Sequence, residues 1–481
     1  MNTAVSRTSF STVSFLVCLT ASIGFAFDTY ELLMLPLILR PAIQELVGAN
    51  PGSPEYLLWV GRLFYVPAFT GGLCGLWGGW LTDRFGRRRV LTGSILIYAV
   101  AAFVSGYATS IEMLLICRCF VFIGVCVEFV AAVAWLAELF DDPHQRERVI
   151  GYTQAFASIG GLLVAFVNHE LARWGEGGHL PAIYVPEFLQ NVLGNLQDPQ
   201  AVWRYTLMSG LFPALPLILV RPFLPESPKW KQLADAGTLK RPSIRELFTP
   251  ALRRTTIVST LLVGCSYGLA FGGLQQLTQI IPGIEEIQSE SANMSPGQRK
   301  PFEQKATATY VKYQEVGGLA GRFLLAILAV RFLSRRKLLG VFLGSSLVVL
   351  PWLFLAMANG TNIEWLNIGG VRVSLLTIAV FLGGLVVIGQ FSFWGNYLPT
   401  AFPLHLRGTG ESMAANIGGR MIGTSFAWVT ATLAAQPWIP GEPGPAKIAR
   451  VCAGVCTILL LVGCALTSLL PETTENQINE P

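Results

Sequence analysis

The sequence predicts an all-α, polytopic membrane protein: about twelve transmembrane helices in two pseudo-symmetric six-helix halves. Three observations carry that expectation. The chain of 481 residues is 52% hydrophobic and only 13% charged, against roughly 25% charged residues in soluble domains. Its apolar residues gather into runs of about 20, the length that crosses a bilayer, separated by short polar joints. A basic stretch near the middle divides these runs into two equal sets.

The first set runs Val13–Leu39, Leu57–Leu81, Val90–Ala108, Met113–Phe140, Val149–Val167 and Trp203–Val220. The second runs Ile257–Ile281, Tyr310–Phe332, Leu338–Ala358, Val373–Leu398, Ser412–Leu433 and Ile448–Leu470. The expected organisation is therefore an N-terminal half over residues 1–221, a basic linker over 222–254 and a C-terminal half over 255–481. The opening run from Arg7 to Ala26 imitates a cleavable signal peptide. Its apolar character continues past Asp28 and Glu31 to Leu39, however, so it is expected to remain as a span that carries two acids.

Orientation follows from the joints. Those after the second, fourth, sixth, eighth and tenth runs hold Arg84, Arg87, Arg88, Arg89, Arg146, Arg148, the basic linker, Arg331, Arg335, Arg336, Lys337 and Arg407. The positive-inside rule makes that side cytoplasmic and puts both termini there, in a cell membrane. The basic residues are thus read as topology signals, and no nucleic-acid partner is expected despite a net charge of +5. The nine cysteines lie in apolar runs without the neighbouring histidines a zinc site needs, so no metal is expected. No cofactor is expected either, and the absence of a G-x-x-x-x-G-K-[ST] loop argues against ATP as energy source. Gly264-Cys265-Ser266-Tyr267-Gly268 matches a hydrolase nucleophile pattern. No aspartate follows Asp235 and the one later histidine is His405, so the stretch is read as helix-packing glycine and not as an enzyme site.

The two sets repeat each other. Gly71-Gly72-Leu73-Cys74-Gly75 in the second run returns as Gly317-Gly318-Leu319-Ala320-Gly321 in the eighth. The basic turn Arg84-Phe85-Gly86-Arg87-Arg88 is echoed by Arg331 to Arg336. A tandem six-helix repeat accounts for both.

The stretch Gly79-Trp80-Leu81-Thr82-Asp83-Arg84-Phe85-Gly86-Arg87-Arg88-Arg89 resembles the signature of the major facilitator superfamily between its second and third helices. Arg118 with Gly124, Pro225-Glu226-Ser227-Pro228, and Phe402-Pro403 to Arg407-Gly408 resemble it too. The resemblance spans the chain and implies a rocker-switch transporter with a central cavity. It implies a cytoplasmic gate at Gly79, Asp83, Arg84, Gly86, Arg87 and Arg88; the alternative is that these arginines only enforce topology. The second copy has Val330 where the first has Asp83.

Charge inside the spans points to chemistry. Asp28 and Glu31 are three residues apart and share a helical face, where buried acids must be paired, protonated or wet. With Arg118 as partner and Glu128 as a second titratable group, they form the candidate proton-coupling set; the alternative is a static ion pair. Phe27-Asp28-Thr29 resembles the first helix of the sugar porters. In the second half Glu315 and Arg322 lie on one stripe, and Asn416 to Gly423 around Arg420 resembles the eleventh helix of the organic-anion and aromatic-acid proton symporters. There the resemblance implies an arginine that meets a substrate carboxylate, a match of guanidinium fork to carboxylate. Pairing with Glu315, or snorkelling, is the alternative for Arg420. Gln275-Gln276 resembles instead the paired glutamines that sugar porters set against hydroxyl groups. The expected function is thus proton-coupled symport of a small organic carboxylate by alternating access. Sugar or polyol uptake, proton-driven export, and nutrient sensing without transport are the alternatives. The expected partners are a small molecule, protons and the lipid bilayer, with the chain acting as a monomer.

Overall fold

The computed structural model describes residues 12–139, 149, 153, 156–187, 190–191, 194–220, 226, 231–232, 235–236, 243–331, 334–361, 364–368, 371–403 and 406–472. The first part of the chain folds into α1 (Thr12–Leu46), α2 (Pro54–Phe85), α3 (Arg87–Ser105), α4 (Ile111–Leu139), α5 (Ala157–Glu176), α6 (Val202–Met208) and α7 (Leu211–Val220). The second part forms α8 (Arg253–Gly272), α9 (Pro296–Arg331), α10 (Arg335–Ala358), α11 (Leu375–Ile388), α12 (Gln390–Ala401), α13 (Arg407–Ser412), a π-helical segment Met413–Gly423, α14 (Phe426–Ala434) and α15 (Pro445–Thr467). Among the described residues, nine helical stretches are long and apolar enough to cross a membrane. The others of the expected twelve are α5, the charge-bearing α9, and the stretch from α13 through α14 that the π-helical turns interrupt.

Helices pack as the repeat predicts. In the first part α2 and α3 lie against α4 and α1 against α5; in the second α9 lies against α11, α10 against α15, and α8 against the π-helical segment. The repeated glycine patch explains two of these seams. Gly71 backs onto Phe122 of α4, and Gly317 and Gly321 back onto the carbonyls of Phe381 and Leu385 in α11, approaches that leave no room for a Cβ. The two parts meet where α5 crosses α9 and where α2 meets both the π-helical segment and α14.

Three runs that read as continuous are interrupted. The sixth breaks at Ser209-Gly210, between α6 and α7. The seventh stops at Gly273 (φ −120°, ψ −84°) and goes on as a 3-10 turn, Leu274–Gln276, and a short helix, Leu277–Ile280. The eleventh widens into π-helix, where the Thr424 amide reaches the Gly419 carbonyl five residues back at 3.0 Å. Its glycines account for the local crowding: Gly418 lies over the Thr260 carbonyl and Gly419 against the Tyr267 ring. A two-stranded antiparallel ribbon, Glu364–Ile368 with Val371–Ser374, adds a small β element to the helical bundle.

At the ends of α3 and α10 the repeat reappears as capping. Gly86, at φ 89°, takes the backbone conformation that lets α2 turn directly into α3. The Glu226 carboxylate then accepts from the Arg87 amide at 2.9 Å and from the Arg88 amide at 3.2 Å. Glu472 accepts in the same way from the Arg335 amide at 3.1 Å and the Ser334 hydroxyl at 2.5 Å. In each case an acid that follows the last helix of a repeat holds the positive end of that repeat's third helix.

Opposite those caps, a buried knot pins the ends of α1, α3 and α6. Arg204 is 0% exposed and donates to Glu45 Oε1 at 2.5 Å, to the Gly106 and Ala108 carbonyls at 3.0 and 2.8 Å, and to the Asp198 carbonyl at 3.0 Å. Trp203 adds a 2.7 Å bond from its Nε1 to Glu45 Oε2. Ion pairs then join the two parts at this end: Arg40 of α1 with Glu303 of α9 at 3.1 Å, and Glu176 of α5 with Lys305 of α9 at 2.5 Å. Tyr56 of α2 also donates to Gln279.

Candidate functional site

A cavity of about 150 Å³ opens at the centre of the bundle, where the two parts face each other. That is a volume of the kind that admits a single six-membered ring. Five residues expected from the sequence line it: Asp28 from α1, Gln275 from the break after α8, Glu315 and Arg322 from α9, and Arg420 from the π-helical segment. Each is placed by a local feature. The helix break brings Gln275 to the cavity while Gln276, its neighbour, is buried and donates to the Phe271 carbonyl at 2.9 Å. On α9 the seven-residue spacing of Glu315 and Arg322 keeps both on one face.

Arg420 is held but not saturated. Arg420 is 3% exposed; its Nη1 donates to the Val125 carbonyl of α4 at 3.2 Å and to Asn416 Oδ1 at 3.1 Å, while its Nε makes no hydrogen bond within the protein. Its guanidinium lies 4.9 Å from the centre of the Phe129 ring, close enough for a cation–π contact. Asp28 lies within electrostatic reach of Arg420, so this couple joins the first part of the chain to the second. Glu315 faces Arg322 in the same sense and also accepts from Gln314 Nε2 at 3.0 Å. Aromatic rings close the remaining walls, with Phe25 and Phe129 on one side and Tyr267, Phe271, Phe391 and Trp394 on the other.

Glu31, Arg118, Glu128 and Gln276 are not among the lining residues. Arg118 is fully buried and donates from Nη2 to the backbone carbonyl of Glu31 at 3.0 Å, so it meets this acid through the main chain. The two Glu31 carboxylate oxygens make no hydrogen bond, and they lie against Gly210 in the break between α6 and α7. Glu128 is buried in α4. At the other end of α2, Arg87 Nη1 donates to the Thr82 carbonyl at 3.1 Å, which folds it back onto the helix it follows, and Arg84 is exposed. Gly79 is placed only as part of α2, and the Asp83 side chain lies outside what is described, as do Arg146, Arg148 and about half of the basic linker.

Sequence reasoning missed Glu411, which is buried and lines the cavity from α13. It stands at the foot of an apolar run, where an acid reads as part of a joint. The aromatic walls were missed as well.

A twelve-span bundle with an internal repeat, its glycine seams and a central charged cavity can now be set beside known proteins. Residues 11–427 match the model of the Major Facilitator Superfamily. The chain belongs to that superfamily. It is 25% identical over 396 residues to a protein of Cupriavidus pinatubonensis named "Probable 4-methylmuconolactone transporter", covering 82% of this chain and 78% of that one. It is 23% identical over 444 residues to the arabinose-proton symporter of Bacillus subtilis, covering 85% and 83%. Among solved structures it resembles the xylose transporter XylE of E. coli in a partially occluded, inward-open conformation. That match has a TM-score of 0.66 at 16% identity over 96% of this chain and 99% of the other, a likeness of fold. Membership makes the chain a membrane-spanning protein of the major facilitator fold, as its composition and glycine repeat predicted.

Proposed function

We propose that this protein is a secondary active transporter that couples proton entry to the uptake of a small organic carboxylate by alternating access. The observation that carries the reading is the pair of buried guanidiniums, Arg322 and Arg420, facing one ring-sized cavity walled by aromatic side chains. A carboxylate on a compact apolar body meets both features, because a guanidinium fork binds carboxylate oxygens in pairs and aromatic walls take the remainder. The name of the 4-methylmuconolactone relative is in keeping with such a substrate.

In the proposed cycle the substrate carboxylate competes with Asp28 for Arg420. Asp28, released from its counter-charge in a dry site, takes a proton and becomes neutral, which lowers the cost of carrying it through the occluded state. Glu31 beside Arg118 serves as a second proton station one helical turn away, and Glu128 of α4 as a third. The halves 1–221 and 255–481, joined by the linker 222–254, rock about the cavity with the arginine-rich turns and both termini on the cytoplasmic side. The ion pairs Arg40–Glu303 and Glu176–Lys305 then close the outer side, and the turn around Gly79, Asp83, Arg84, Gly86, Arg87 and Arg88 gates the inner one. One chain holds the whole pathway, so the reading is of a monomer.

Sugar–proton symport is the second reading, favoured by Gln275 on the cavity wall and by the arabinose-proton symporter relative. Counterflow in proteoliposomes separates the two. Labelled nicotinate or benzoate should exchange against the same internal compound, and arabinose or xylose should neither exchange nor compete. Exchange of the pentoses without that of the carboxylates would reverse the assignment.

A further inference from the structure

Trp394 lines the cavity, yet its one polar atom is engaged elsewhere. Its Nε1 donates to the Ser266 hydroxyl at 2.9 Å, and Ser266 is buried in α8 outside the cavity lining. Ser266 in turn donates to Gln390 Oε1 at 3.0 Å. The Gln390 amide nitrogen donates to the Val386 carbonyl at 2.9 Å and to Ser346 Oγ at 3.3 Å, and Ser346 donates to the Phe342 carbonyl at 2.7 Å.

The direction of every bond in this relay is forced. An indole N–H can only donate and a main-chain carbonyl can only accept, so each hydroxyl between them must accept from one side and donate to the other. That also settles which way the Gln390 amide faces. The relay ties α8, α10, α11 and α12 behind one aromatic side chain, and all three of Ser266, Ser346 and Gln390 are at most 1% exposed. Ser266 belongs to the Gly264-Cys265-Ser266-Tyr267-Gly268 stretch that imitates a hydrolase site, and the relay gives that serine a use.

We propose that Ser266 and Gln390 are positioning residues that set substrate selectivity through Trp394. By keeping the indole N–H turned out of the cavity, they present ring carbon to the solute. A flat, ring-bearing carboxylate stacks on that wall, whereas a polyol finds no donor there and must leave hydroxyls unpaired. The inference rests on the carboxylate reading of the same cavity.

The test is a double-mutant cycle in proteoliposomes with nicotinate and benzoate as substrates and D-xylose as competitor. Ser266→Ala removes the acceptor and frees the N–H. It should raise KM for nicotinate about tenfold with kcat changed less than about twofold, and it should let D-xylose compete. In a Trp394→Phe background, which has no N–H to place, Ser266→Ala should change KM less than about twofold. An equal loss in both backgrounds would mean that Ser266 acts on its own, and an unaffected Ser266→Ala protein or a fall in kcat alone would likewise overturn the inference, in each case with the carboxylate reading intact. A wild-type protein that exchanges neither carboxylate would remove that reading, and the inference with it.

Discussion

Two buried arginines, one in the knot at the end of α6 and one in the central cavity, differ in how far the protein itself satisfies a buried charge. Arg204 donates to a carboxylate and three main-chain carbonyls, and all its nitrogens are engaged. Arg420 is nearly as deeply buried, yet besides the Cys126 thiol it meets two oxygens, both through Nη1, and its Nε makes no hydrogen bond in the protein. Burying a guanidinium is costly unless its donors are met. The knot meets that cost with protein atoms alone, while the cavity leaves donors available for something that arrives. Asp28 across from Arg420 compensates charge without closing the site.

The comparison can be broken in several places. The largest effect is expected at the knot: Arg204→Ala leaves the Glu45 carboxylate buried without its counter-charge and should cost about 3–5 kcal/mol of stability. Thermal unfolding of the purified protein would read this as a large fall in Tm, with transport per folded molecule nearly preserved. Arg420→Ala should behave in the opposite way: Asp28, left without its counter-charge, takes a proton and becomes neutral, so the change in Tm should be small beside a loss of about a hundredfold in kcat/KM for the carboxylate, measured as initial uptake. Equal effects of the two substitutions on Tm would dissolve the distinction.

Smaller effects sharpen it. Asp28→Asn should lower gradient-driven accumulation about tenfold while counterflow persists, because the neutral amide mimics the protonated acid but cannot cycle. In the wild type, accumulation should rise as external pH falls, since the loaded carrier needs the proton. In Asp28→Asn that dependence should flatten. Least of all, Lys305→Ala removes a half-exposed pair with Glu176 and should change uptake less than about twofold.

Much of this was visible in the sequence, for reasons that also explain what was not. Charges stand out in apolar runs, so Asp28, Glu315, Arg322 and Arg420 could be named before any coordinates. The glycine patches at Gly71 and Gly317 were equally plain, because helices in lipid associate through small residues. Aromatic residues carry no such mark. In a membrane helix both the lipid face and the inner face are apolar, and so nothing in the pattern distinguishes Trp394 on the cavity from Trp77, which is 69% exposed on the outside of α2. The break at Gly273 was hidden likewise, since a glycine pair inside an apolar run also fits ordinary close packing. Arg118 was expected to hold a carboxylate, but a sequence does not say which oxygen of Glu31 a guanidinium will reach. Glu411 was hidden by its place at the end of a run, where the depth of a side chain depends on how far the helix extends.

The central claim is that protons and a carboxylate cross together, and lumenal pH tests it most directly. Proteoliposomes carrying a trapped pH dye would receive nicotinate or benzoate outside, with protein-free vesicles as the control for passive permeation of the acid. Coupled symport predicts protein-dependent acidification with the carboxylates, none with pentoses, and loss of the signal in Arg420→Ala. Acidification with pentoses alone, or carboxylate uptake that leaves the lumenal pH unchanged, would contradict the account.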